Sequence, residues 1–145
     1  MNDTIGFPEA ESKVEAMEQH NPNRHKIAPD VPRTYYWWPI TEAKIRQAIQ
    51  RIVDAVQPER IILFGSFAYG QPSLDSDVDL LVIMDSEQSV HARSVQISEI
   101  LYPRPFPVDI IVRTPAEVAE RIALGDSFFR EIMTKGKVLY ERPSG

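Results

Sequence analysis

Apolar positions along the chain recur at two periods, and the switches between them outline the elements. In TEAKIRQAIQRIVDAV, Ile45, Ala48, Ile49, Ile52, Val53 and Val56 recur at steps of three and one, which puts them on one stripe of a helix. Thr41 stands where an N-cap belongs and Pro58 closes the segment. ERIILFG then reads as a strand closed by Gly65, and DVDLLVIM (77–84) as a second strand, apolar enough for burial on both faces beyond its aspartates. A helix over about 87–101 carries Val90, Ile97 and Leu101 on one side, and FPVDIIVR (106–113) is a third strand. Thr114-Pro115-Ala116-Glu117 combines an N-cap threonine, a first-turn proline and a capping-box glutamate, with Gly125 as the C-terminal stop. Asp126 or Ser127 caps a further helix whose Phe128, Phe129, Ile132 and Met133 read as core, and KVLYE after Gly136 is the last strand.

The order α-β-β-α-β-α-α-β predicts an α/β (α+β) domain: a small mixed sheet of about four strands flanked by helices. The link from Gly65 to Asp77 is too long for a tight hairpin and too short for a full helical crossover. A short helix starting near Ser66 brings the second strand back antiparallel, so the start of that strand meets Gly65 and Ser66 at the end of the first.

This juxtaposition matters because Asp75, Asp77 and Asp79 fall on alternate positions. Residues two apart on a strand share a face, and carboxylates so close repel unless a cation lies among them. Asp75 reads as an ordinary turn residue. Asp77 and Asp79 face the mouth that Gly65 and Ser66 border, where a helix start with a small hydroxyl residue suits phosphate. Asp109 interrupts the apolar PVDIIV, and a charge mid-strand is costly unless compensated. With the third strand beside the second, Asp109 reaches the same cation. Mg²⁺ fits such a site because it takes a few carboxylates and shares phosphate oxygens, and two such ions would stabilise both oxygens of an in-line displacement. Two rival motifs fail. Gln71-Pro72 stand where a P-loop needs Lys-Ser/Thr, and Leu80 and Ser86 where an EF-hand loop needs Gly and Glu.

Gly65-Ser66, ten residues, then Asp77-Val78-Asp79 resembles the signature of the DNA polymerase β-type nucleotidyltransferase superfamily, with Asp109 in the place of its third carboxylate. GSFAYG, SDVDLLV and KGKVLYE are similar to its small stand-alone members, the minimal nucleotidyltransferases. The resemblance covers 41–142 and leaves 1–40 outside as an N-terminal extension. It implies a nucleotidyltransferase fold in which Asp77 and Asp79 bind two Mg²⁺ ions carrying a nucleoside triphosphate. It further implies that Asp109 ligates the catalytic metal and helps activate the acceptor hydroxyl, and that Gly65 and Ser66 hold the β- and γ-phosphates. ATP would be the substrate and pyrophosphate a product. Many minimal members are antitoxins paired with a HEPN-domain ribonuclease toxin, and some transfer AMP to a tyrosine of that toxin.

Composition narrows the partners. The chain has 145 residues, 43% hydrophobic and 26% charged, with a net charge of −5 and no cysteine, so one soluble domain without disulfides or thiolate metal sites is expected. No Lys/Arg run appears, which argues against a nucleic-acid acceptor. The polar, acidic start and the short apolar runs predict a cytoplasmic protein without a membrane span. The three histidines lie in polar contexts with no shared spacing, and Arg104, Arg113 and Arg130 are candidates for phosphate without an assigned place. Residues 9–20 suit a short acidic helix, 21–33 an extended proline-rich linker, and Tyr35, Tyr36, Trp37 and Trp38 an aromatic staple or a partner-binding arm. Little chain follows the fourth strand to build an acceptor pocket, which favours a protein acceptor with its own surface. A contact-only antitoxin module and a small-molecule (aminoglycoside-type) modifier remain the alternatives, and a homo-oligomer stays open.

Overall fold

The structure, a computed structural model, describes residues 39–144; the proposed acidic helix, linker and aromatic run lie outside the described residues. The elements follow the expected order: α1 (Glu42–Val56), β1 (Arg60–Phe64), the single-turn α2 (Ser66–Tyr69), β2 (Val78–Ile83), α3 (Val90–Ile100), β3 (Val108–Arg113), α4 (Pro115–Ala123), α5 (Ser127–Lys135) and β4 (Lys137–Glu141). The strands lie in the order β3-β2-β1-β4. β1 pairs antiparallel with β2 and β4, and β2 pairs parallel with β3. The parallel pair requires the crossover that α3 supplies, whereas the β1–β2 reversal is made by α2 and the loop after it.

Caps delimit the helices as the sequence pattern anticipates. Thr41 Oγ1 accepts from the Lys44 N–H at 3.3 Å. In the capping box of α4, Thr114 Oγ1 accepts from the Glu117 N–H at 3.1 Å while Glu117 accepts from the Thr114 N–H at 2.8 Å. Asp126, rather than Ser127, caps α5 by accepting from the N–H groups of Phe128 and Phe129. Such caps are each worth about 1 kcal/mol.

Two apolar layers sandwich the sheet. On one side Ile45, Ala48, Ile49 and Ile52 of α1 and Ile97 of α3 pack with Ile61, Leu63, Leu80 and Val82. On the other, Val118 of α4 and Phe129 and Ile132 of α5 pack with Ile62, Phe64, Leu81 and Ile83. Alternation along β1 and β2 produces the two sets, and residues 80–83 are buried on both faces as expected. Truncating a fully buried member such as Ile52 to alanine is expected to cost about 2–5 kcal/mol.

Three expectations need correction. β2 begins at Val78, leaving Asp77 just before it. α3 begins at Val90, capped by Ser89, and Val90 itself is exposed. The buried position on that side is taken by Arg93, whose guanidinium donates to both Glu117 carboxylate oxygens (2.7 and 3.2 Å) and to the Gln88 carbonyl (3.0 Å). Phe128, expected in the core, is 49% exposed.

Candidate active site

The acidic positions are brought together by strand register. Asp79 is the direct partner of Asp109 across the parallel β2–β3 pair and of Phe64 across the antiparallel β1–β2 pair. Asp79 lies two residues before Leu81, and Asp109 two before Ile111, so both project to the face that α4 and α5 cover. Asp77 follows the loop immediately before β2. Asp75 sits in the preceding exposed turn, where its N–H donates to Ser73 Oγ at 3.3 Å.

Gly65 connects β1 to α2 with φ 76° and ψ −155°, a conformation essentially confined to glycine. A Cβ there would collide with the Asp79 carboxylate, so this residue both makes the turn and lets the backbone lie against Asp79. Ser66 is the first residue of α2, with Gly65 as its N-cap and no side-chain cap. The Gly65 carbonyl accepts from the N–H groups of Ala68 and Tyr69, both at 3.0 Å. The Ser66 carbonyl closes the turn by accepting from the Gly70 N–H at 3.1 Å, and its side chain makes no cap hydrogen bond.

Electrostatics sharpen the picture. Burial, followed by repulsion from Asp109 and then Asp77, pushes the Asp79 carboxyl up to about 6. The donor set is all hard oxygen, with a charge excess that a hard divalent cation would relieve. Among the described residues no group of three or more acidic or histidine side chains is placed to hold a metal ion by itself. Mg²⁺ does not require one, since it is commonly held by one or two carboxylates together with substrate phosphates and water.

Two neighbours do not stand out as site residues in the sequence: Tyr69, and Phe128, which reads there as core. Burial raises the Tyr69 hydroxyl above its ordinary value; a hydrogen bond that its oxygen accepts from the Gly65 backbone opposes this, while the Glu131 and Asp79 carboxylates add to it. Tyr69 lies inside the quoted GSFAYG, three residues after Ser66, and a single helical turn after Gly65 brings i and i+3 together. Phe128 packs edge-on against Phe64 with ring centroids 5.7 Å apart. No sequence period separates it from Phe129, because both fall within the helix's first turn. Of the arginines left unassigned, Arg113 lies over the Phe129 ring at 6.0 Å, at the end of β3 away from Asp109. His91 is exposed, as expected.

A glycine-serine turn beside register-matched carboxylates, on a four-stranded mixed sheet with helices on both faces, defines a nucleotidyltransferase fold. The chain belongs to the nucleotidyltransferase domain family, whose model matches residues 43–139. A crystal structure described as a "putative nucleotidyltransferase from Sulfolobus solfataricus" shares the fold with a TM-score of 0.52 at 20% identity, covering 71% of this chain and 82% of that one. No curated protein matches the sequence at a significant level. Among the described residues no helix is long and apolar enough to cross a membrane.

Proposed function

We propose that this protein is a Mg²⁺-dependent nucleotidyltransferase that transfers AMP from ATP to a tyrosine hydroxyl of a partner protein, in the manner of an antitoxin acting on a HEPN-type toxin. The observation that carries the reading is the register match of Asp79 with Asp109 directly beside the Gly65-Ser66 turn. Asp77, Asp79 and Asp109 would hold two Mg²⁺ ions, which when bound supply charge neutralisation and Lewis acidity at the transferring phosphorus. Gly65 gives backbone access without a Cβ, and the Ser66 hydroxyl donates to a phosphate oxygen. Asp109, exposed on the outer strand β3, orients the incoming hydroxyl and accepts its proton as the new phosphoester forms and pyrophosphate leaves.

A protein acceptor is supported by two features. The carboxylates open toward solvent at one end of the sheet, so an acceptor that brings its own surface can reach them. The net charge of −5 does not attract a polyanion. GSFAYG, SDVDLLV and KGKVLYE keep the likeness to minimal nucleotidyltransferases.

The test uses ATP labelled at the α-phosphate, with protein and Mg²⁺ added to a lysate of the source organism and Asp77→Asn as control. A labelled protein band formed by the unsubstituted protein alone is the expected result. Label confined to small molecules, or bands equally strong with Asp77→Asn, would contradict the proposal.

A further inference from the structure

We infer that Phe128 is a stacking platform for the nucleobase of the triphosphate, an assignment that rests on the nucleotide reading of the Asp79 site. The ring is 49% exposed, yet its position is determined on two sides. It stands at 87° to Phe64 with centroids 5.7 Å apart, and at 83° to Phe129 at 5.5 Å. Phe129 is itself buried in the layer beneath α5. Asp126 fixes the backbone on both sides of the ring's Cα by accepting from the N–H groups of Phe128 and Phe129 at 2.9 and 3.2 Å. Apolar surface held this firmly while left half open contributes little to the core. As a contact for a flat ligand, however, it loses little conformational freedom on binding.

Its position specifies the ligand. Phe64 is the cross-strand partner of Asp79, and directly opposed residues of an antiparallel pair have neighbouring side chains. Phe128 is therefore separated from Asp79 by one side chain, on the same face of the sheet. The α-phosphorus must lie against the carboxylates, and the base is tethered to it through one ribose, so the base comes within reach of this ring. A phenyl ring offers a π-face and no hydrogen-bond donor or acceptor. Recognition of this kind reads the area of the base rather than its edge. ATP and GTP should then bind alike, and both more tightly than CTP or UTP.

Calorimetry with Mg²⁺ and a non-hydrolysable ATP analogue, run beside Mg²⁺ and inorganic tripolyphosphate, tests this. Phe128→Ala should weaken the analogue about tenfold and leave tripolyphosphate unchanged, while Phe128→Trp restores binding. Unchanged affinity for the analogue in Phe128→Ala would overturn the assignment. An equal loss for both ligands would do the same, because it would show that the ring acts only by supporting Phe64. Should the unsubstituted protein bind tripolyphosphate as tightly as the analogue, the base makes no contact and the inference fails while the phosphate site stands. Binding of neither ligand would remove the nucleotide reading itself.

Discussion

Two carboxylates on the same side of this molecule have opposite surroundings. Glu117 accepts from both terminal nitrogens of the buried Arg93 and from the Thr114 N–H; the Arg93 hydrogen bonds first, then that of Thr114, hold its carboxyl below the usual range. Among the described residues Asp79 has no such partner: burial and then the charges of Asp109 and Asp77 push its carboxyl up to about 6. The first arrangement ties α3 to α4 and favours the folded state. The second opposes it, and on the function proposed above a ligand, rather than the fold, supplies the compensating charge. The contrast separates the residues that hold the sheet together from those that use it.

Substitutions can break this contrast from either side. At the site, the largest stability effect is expected at Gly65, where alanine would combine a backbone conformation costing about 1–3 kcal/mol outside glycine with a collision against Asp79. Denaturant titration should show a loss of about 3 kcal/mol; a loss below about 0.5 kcal/mol would mean that the turn relaxes freely. Next, Glu117→Gln leaves the Arg93 guanidinium, only 6% exposed, without its counter-charge and should cost about 2 kcal/mol, while Arg93→Met, which leaves the more open glutamate, should cost about 1 kcal/mol. The pH dependence follows from the sign. Glu117 titrates lower folded than unfolded, so its stabilisation is complete above the unfolded value and disappears as pH falls through the folded one. Glu117→Gln should therefore flatten the acid limb of the stability curve. The smallest effect is a gain. Asp79→Asn removes like-charge repulsion at neutral pH and, after allowance for solvent screening, should raise metal-free stability by on the order of 1 kcal/mol. A loss of that size would mean that Asp79 is structural after all.

The same contrast explains what the sequence made legible. The antiparallel return of β2 and the juxtaposition of Gly65 with Asp79 could be read because the 65–77 link admits few geometries, whereas the outer places of β3 and β4 come from the structure. Asp109 could be located because a charge inside PVDIIV is conspicuous. The Arg93–Glu117 pair could not be read, since a helix period assigns the buried position to Val90 and gives no sign that an arginine will be neutralised 24 residues later. Phe128 could not be told from Phe129 for a related reason: adjacent aromatics in FFR look alike, and the packing of α5 on the sheet buries Phe129 and leaves Phe128 half open. Charge compensation and helix orientation are tertiary properties, and periodicity carries neither.

The central claim is that the Asp79 cluster is completed by a metal–nucleotide ligand. Titrating a non-hydrolysable ATP analogue into the protein, with and without Mg²⁺ and with Asp79→Asn and Asp109→Asn beside it, tests that claim most directly. The account predicts saturable binding that requires Mg²⁺ and is weakened at least tenfold by either substitution, each removing more than about 1.4 kcal/mol of compensated charge. Binding that is indifferent to Mg²⁺ and to both substitutions would contradict it, and so would the absence of any binding by the unsubstituted protein.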